Sequence, residues 1–395
     1  MTTMTHAHFP PLSAEQQAAS THLQQLIINE IQRQNGAIPF IDFMNLALYA
    51  PKVGYYTGGA HKIGQSGDFI TAPTLTPLFA QTLATQLIEL LPQTAGYLYE
   101  FGAGTGALAA DLLNALSEHP SFHQYIIIEL SAELAQRQQQ HIAQHAPKML
   151  NKVSWQHTLP ENFDGIIIGN EVLDAMPIER ICLQPNGALE RVYVGYENQQ
   201  FTYKNQALTD KNLFQAALNY FPKAHDIDAP YTSELHPTQY AFINTLAQKL
   251  TRGAMLFIDY GFDQHEYYHP QRQDGTLIGH HAHHSIHNPF FRLGLTDLTA
   301  HVNFSDIAAA ACDKNALDLI GYTTQANFLF NLGLLENLAN AHNQTDTTDY
   351  VQAAHAIQIL TAPHEMGELF KVIAFGKNIN IDWQGFALGD ICHKL

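Results

Sequence analysis

Few cysteines, few charges and no long apolar run set the first limits on this chain of 395 residues. Cys182, Cys312 and Cys392 lie far apart, so no pair has metal-ligand spacing and no disulfide framework is laid out. A reducing, cytoplasmic setting is therefore expected. Residues 1–17 contain no Lys or Arg and no apolar run, and so have the form of neither a secretory signal nor a transit peptide. No stretch reaches the roughly 18 consecutive apolar residues that a membrane-spanning helix needs. Basic residues are scarce as well, with 19 Lys and Arg against 36 Asp and Glu, a formal net charge of −17. A field of that sign repels phosphate backbones, which excludes non-specific nucleic-acid binding. It suits a basic protein or peptide partner, or serves solubility alone.

What the chain does have is apolar mass: 46% of its residues are hydrophobic. That is enough for a well-buried core, and the length predicts one main domain plus an insertion or second lobe. Ser13 and Gln16 read as a capping box, Leu23, Ile27 and Ile31 follow at four-residue steps, and Gly36 stops that helix. A second helix over residues 41–50 ends at Pro51, before a glycine-rich stretch. Together these make an N-terminal cap over residues 1–95.

The main fold opens near Tyr97. Apolar runs at 97–101, 125–129, 165–169 and 255–259 read as buried strands, with a weaker one at 153–155 and a last one at 369–375. Helical stretches at 107–116 and 132–145 separate the first of them, which predicts a doubly wound α/β sheet, parallel and helix-covered on both faces. Residues 96–179 form its core and residues 253–395 complete it. Between them, strands at 180–183 and 190–196 flank the hairpin signal Pro185-Asn186-Gly187 and begin an inserted substrate lobe over residues 180–252.

The strongest local motif runs Glu100-Phe101-Gly102-Ala103-Gly104-Thr105-Gly106, where an apolar strand passes into an amphipathic helix. Glycines there permit a tight turn and close backbone approach to a ligand, and the helix N-terminus offers free N–H donors. Gly102, Gly104 and Ala107 also satisfy the dinucleotide fingerprint G-x-G-x-x-A, so a NAD-type oxidoreductase stands as one alternative. Glu100 favours S-adenosylmethionine: an acid two residues before the first glycine suits the ammonium of a methionine moiety and repels a pyrophosphate. Glu129 closes the next strand, where a carboxylate can accept both ribose hydroxyl protons; NAD enzymes use the same device, so it does not discriminate.

The strand at 165–169 leads into Asn170-Glu171-Val172-Leu173-Asp174-Ala175-Met176-Pro177. Ligands of open α/β sheets lie beyond the carboxyl ends of the strands, which places Asn170, Glu171 and Asp174 at the rim of the cofactor site as candidate catalytic residues. Transfer of a sulfonium methyl is mostly positioning. For an arginine acceptor, carboxylates are the natural partners, and Glu171 with Glu179 reads as a two-acid clamp. Asp259 and Tyr260 end a further strand on the same side and read either as site residues or as a structural turn. His301 reads as groove-lining or packing. His280, His281, His283, His284 and His287 cluster in one stretch without helix context or a partner acid. An exposed loop is expected there, with metal binding or substrate contact as the other readings; no metal is expected.

Taken in order, these segments resemble the MidA-like family of class I methyltransferases. The resemblance spans about residues 38–377 and rests also on Leu48-Tyr49-Ala50-Pro51 with Gly54-Tyr55-Tyr56, Gly67-Asp68-Phe69-Ile70-Thr71-Ala72-Pro73, Ile258-Asp259-Tyr260-Gly261, Asp297-Leu298-Thr299-Ala300-His301-Val302 and Met366-Gly367-Glu368. It implies a seven-strand sheet with an N-terminal helical cap, S-adenosylmethionine as donor, and cofactor contacts from Gly67, Asp68 and Thr71 beside Glu100, Gly102, Gly104, Gly106, Glu129 and Asn170. It also implies symmetric dimethylation of an accessible arginine on a protein partner, a subunit of the respiratory NADH dehydrogenase in the mitochondrial members. A protein that keeps the cofactor as a structural ligand and works as an assembly chaperone is the other reading.

Overall fold

The computed structural model describes residues 9–58, 71–342 and 347–395. Its centre is a sheet whose main path has seven strands: β1 (Tyr97–Phe101), β2 (Gln124–Ile128), β3 (Val153–Gln156), β4 (Phe163–Asn170), β5 (Leu250–Phe262), β6 (Asp318–Thr324) and β7 (Phe370–Lys377). They lie in the order β3-β2-β1-β4-β5-β7-β6. β3, β2, β1, β4 and β5 pair in parallel, while β7 runs antiparallel to both β5 and β6. The chain steps outward from β1 in one direction and from β4 in the other. The crevice of this switch point therefore lies beyond the carboxyl ends of β1 and β4.

Alternating side chains explain why both faces are covered. In β5, Leu256 and Ile258 join one core cluster while Met255 and Phe257 join the other. Helix α1 (Ala14–Arg33) and helix α2 (Phe40–Tyr49) belong to neither. Leu23, Ile27, Phe43 and Leu48 from these two helices form a third cluster with Ile178, Val194 and Leu298. By contrast, α3 (Pro77–Leu90) contributes Phe79, Leu83 and Leu87 to the layer on the main sheet, beside α4 (Ala107–Ala115). The described residues before Tyr97 are thus divided between two layers, with α1 and α2 in the third cluster and α3 on the main sheet.

Residues 179–235 build a second sheet in which Glu179–Leu183, Leu189–Glu197, Gln200–Ala207 and Tyr231–Leu235 are joined by the short strand Ile38–Pro39. The N-terminal segment and the insertion therefore share one structure. The helix after this sheet, Pro237–Lys249, returns to the main fold, where Ile243, Leu246 and Ala247 pack on β5's side of the core. The histidine-rich segment is ordered into strands Ile278–His281 and His284–Ile286, the first also pairing with Asp297–Thr299. No helix among the described residues is long and apolar enough to cross a membrane.

Candidate active site

β1 ends in the glycine loop. Gly102, Gly104 and Gly106 all have positive φ, at 65°, 52° and 85°, a region open to glycine with little strain. At Gly102 there is a second reason: a Cβ would stand 2.3 Å from Cγ2 of Val172 in the turn after β4. Gly106 caps α4, whose first residues face a cavity enclosing about 790 Å³ of solvent-open space. The cavity is lined by Glu100 and by Gly102 to Thr105 of the loop, with Gly106 outside the lining, by Asn170 at the end of β4 and Glu171 and Asp174 after it, by Tyr260 of β5, by Tyr55, Tyr56 and Thr71 from the N-terminal segment, and by His280, Asp297 and Thr299.

The turn after β4 is held from beneath. Asp259 accepts from the backbone N–H groups of Val172 (3.1 Å), Leu173 (2.8 Å) and Asp174 (3.3 Å), and from that of Tyr260 (3.0 Å). Burial and the neighbouring Asp174 push the Asp259 carboxyl upward, and these N–H donors oppose that rise. Asp259 thus fits the structural-turn reading, while Tyr260 lines the cavity. The anchored turn carries Glu171 in the left-handed region, φ 53°, an unusual conformation for a residue with a Cβ. That conformation aims its carboxylate into the cavity.

The cavity is acidic. Glu100 is 2% exposed and accepts from the Tyr125 hydroxyl at 2.9 Å. Burial pushes it up to about 8, the Tyr125 hydroxyl pulls back, and Glu129 adds to the rise. Burial, and then Asp174, push Glu171 up to about 8 as well. Asp174 is pushed up by burial, with the Tyr260 hydroxyl, which donates to its Oδ2 at 2.6 Å, opposing. Asp297 accepts from the Tyr56 hydroxyl at 2.9 Å on each oxygen. Asn170 donates to Glu171 Oε1 at 3.0 Å. Among the described residues, Asn170 Oδ1, Glu171 Oε2 and Asp174 Oδ1 are buried without a hydrogen-bond partner. Four carboxyl groups and no Lys or Arg line the cavity among the described residues. Such a set fits a cationic ligand, because each unpartnered buried oxygen is costly until a donor meets it.

Glu129 lies outside the lining. Its oxygens accept from the Ser131 N–H at 2.8 Å and from Gln138 Nε2 at 3.0 Å, and the same Gln138 nitrogen reaches the Gly104 carbonyl at 3.2 Å. Gln138 is fully buried and fixed by Trp155 at 2.9 Å. It ties the second acid to the loop, and sequence spacing gave no sign of it. Glu100 and Glu129 therefore flank the same loop. Gly67 and Asp68 lie outside the described residues.

Two expectations fail. Glu179 does not clamp with Glu171: Arg191 Nε donates to it at 2.9 Å and Arg191 Nη2 to its other oxygen, inside the second sheet. Asp174 and Asp297 stand beside Glu171 instead. The histidine cluster is not a single exposed loop. His283, His284 and His287 are exposed, but His281 is buried against Phe9 and Phe291, and His280 lines the cavity. His301 packs between the rings of Tyr260 and Phe262. No group of three or more His, Cys, Asp or Glu among the described residues has metal-binding geometry.

Residues 79–323 match a family described as S-adenosyl-L-methionine-dependent methyltransferases. The chain belongs to this family. A solved structure from Burkholderia thailandensis, bound to S-adenosyl-homocysteine, is 41% identical, with a TM-score of 0.91 over 98% of this chain and 100% of that one. Protein arginine methyltransferase NDUFAF7, mitochondrial, of Homo sapiens is 27% identical, covering 87% of this chain and 80% of its own. The Caenorhabditis elegans homolog is 28% identical, covering 81% and 78%. The MidA-like resemblance, the seven-strand class I sheet and S-adenosylmethionine as donor are borne out. In this methyltransferase Glu100, Gly102, Gly104 and Asn170 line one cavity. The orphaned oxygens at Asn170, Glu171 and Asp174 fit that donor, whereas a dinucleotide pyrophosphate offers them no N–H or O–H to accept from.

Proposed function

We propose that this methyltransferase transfers methyl groups to arginine on a protein partner, with symmetric dimethylarginine as product and a subunit of the respiratory NADH dehydrogenase as the first partner to test. The observation that carries the reading is the trio Glu171, Asp174 and Asp297 lining one cavity, without a Lys or Arg among the described lining residues to neutralise it. The curated relatives named as protein arginine methyltransferases support it, and so does the net charge of −17, which draws basic segments.

When bound, S-adenosylmethionine supplies a methyl group on positively charged sulfur. The chain's own residues do the positioning. Glu100 and the glycine loop bind. Glu171 Oε2 and Asp174 Oδ1, both lacking donors among the described residues, accept from guanidinium N–H groups and orient one nitrogen. Tyr260 and Tyr56 hold Asp174 and Asp297 in place through their hydroxyls. A carboxylate against the guanidinium also stabilises its charge as the lone pair localises on the attacking nitrogen.

Mass spectrometry of methylated residues in cells with and without the chain tests this. Symmetric dimethylarginine that disappears with the chain is the expected result. Unchanged arginine methylation, with the lost methyl groups on another residue type, would overturn it.

A further inference from the structure

We propose that His280 is the proton acceptor of the transfer reaction, with Asp297 as its charge partner across the strand ladder. The proposal rests on the arginine reading. His280 and Asp297 are direct partners in the antiparallel pairing of Ile278–His281 with Asp297–Thr299, so their side chains leave the same face with Cβ atoms about 5 Å apart. Both line the cavity that holds Glu171 and Asp174. Asp297 is fixed by the Tyr56 hydroxyl, 2.9 Å from either oxygen.

Arginine methylation must dispose of a proton. The N–C bond forms as the C–S bond of the sulfonium breaks, and the electron pair of that bond stays on sulfur. The attacking nitrogen then carries one proton too many. If Glu171 or Asp174 took it, each would lose the charge that holds the product guanidinium. A neutral imidazole can take it and leave those carboxylates ionised, and Asp297 offsets the imidazolium that results. His280 is half-buried at the wall of a solvent-open cavity, so the proton can pass on to water.

Burial holds the His280 ring below its ordinary range, which keeps it neutral near pH 7. Among the described residues, the titratable groups facing it include Asp297 on the paired strand, Glu100, Glu171, Asp174, Tyr55, Tyr56 and Tyr260 in the cavity lining, and His301, which feels its charge. Its other strand partner, Ser285, does not titrate.

The test is methyl transfer to arginine as a function of pH for the wild type, His280→Asn, His280→Ala and Asp297→Asn, with S-adenosyl-homocysteine affinity by calorimetry. We expect His280→Asn to lose about 100-fold in kcat or more, to keep the wild-type affinity and to lose the acid limb of the profile. Added imidazole should restore part of the His280→Ala rate. Asp297→Asn should keep the limb and move it to lower pH, because a negative neighbour favours imidazolium. Wild-type kcat and limb in His280→Asn would overturn the assignment, as would loss of S-adenosyl-homocysteine binding in both His280 variants. Wild-type methylation of a residue other than arginine would instead overturn the acceptor reading on which it rests.

Discussion

Replacing Glu171 by Gln should make the ligand-free protein more stable in mild alkali while abolishing its chemistry. Burial and the nearby Asp174 raise this carboxyl from 4.5 to about 8. At about 1.4 kcal/mol per pH unit, full traverse of that range is an upper bound of about 5 kcal/mol. Glu171 is half-buried on the wall of an open cavity, and water there reduces the expected cost to about 1–3 kcal/mol. The folded chain holds this proton more tightly than the unfolded one, so the wild type loses stability as pH rises from about 4.5 to about 8. Glutamine does not titrate and keeps an oxygen for Asn170 Nδ2. Thermal denaturation of the ligand-free proteins should show the variant melting about 1–4 °C higher near pH 8, with the two nearly equal near pH 5. Methyl transfer should fall about 100-fold or more, since a guanidinium loses a charged partner. A variant that melts below the wild type at pH 8, or that keeps its turnover, would refute this reasoning.

Three further outcomes follow from the same geometry. Gly102→Ala places a Cβ against Val172 at positive φ, at a cost of about 2–4 kcal/mol; S-adenosyl-homocysteine affinity should fall at least tenfold by calorimetry, and an unchanged value would count against the loop. Glu100, raised to about 8 by burial, is mostly protonated at pH 7, and an ammonium beside it should expel that proton. Calorimetry in buffers of different ionisation enthalpy should then show close to one proton released per cofactor bound, and none for Glu100→Gln; equal release from both proteins would contradict this. Tyr56→Phe removes the hydroxyl shared by the Asp297 oxygens and should lower kcat about tenfold with cofactor affinity intact; an unchanged kcat would show that Asp297 does not need that hydroxyl.

The sheet was legible where apolar runs were short and bounded. β1 was read with its observed ends, and β2 and β3 within a residue. β5 is longer than its apolar run, because its end passes Asp259 and Gly261 to pair with Val302 and Asn303. β6 was missed: Asp318-Leu319-Ile320-Gly321 is half-exposed with a glycine at its middle and carries no alternation. The Glu100 loop and the Asn170-Glu171 turn were legible because each follows directly on a strand. Tyr56, Asp297 and His280 were not joined from sequence, since Tyr56 and Asp297 meet across 241 residues. Glu179 misled for the opposite reason: its nearness in sequence to Glu171 gave no hint of Arg191 on the neighbouring strand. The histidine cluster misled through composition, because strand pairing sends His280 and His281 to opposite faces.

The most direct measurement is transfer from methyl-labelled S-adenosylmethionine into a cell extract by purified wild type and by Glu171→Gln, followed by hydrolysis and amino-acid analysis. Label in methylated arginine with the wild type alone is the predicted result. Label in another amino acid, or equal label with both proteins, would contradict the claim that an acidic cavity beside the glycine loop orients a guanidinium for methylation.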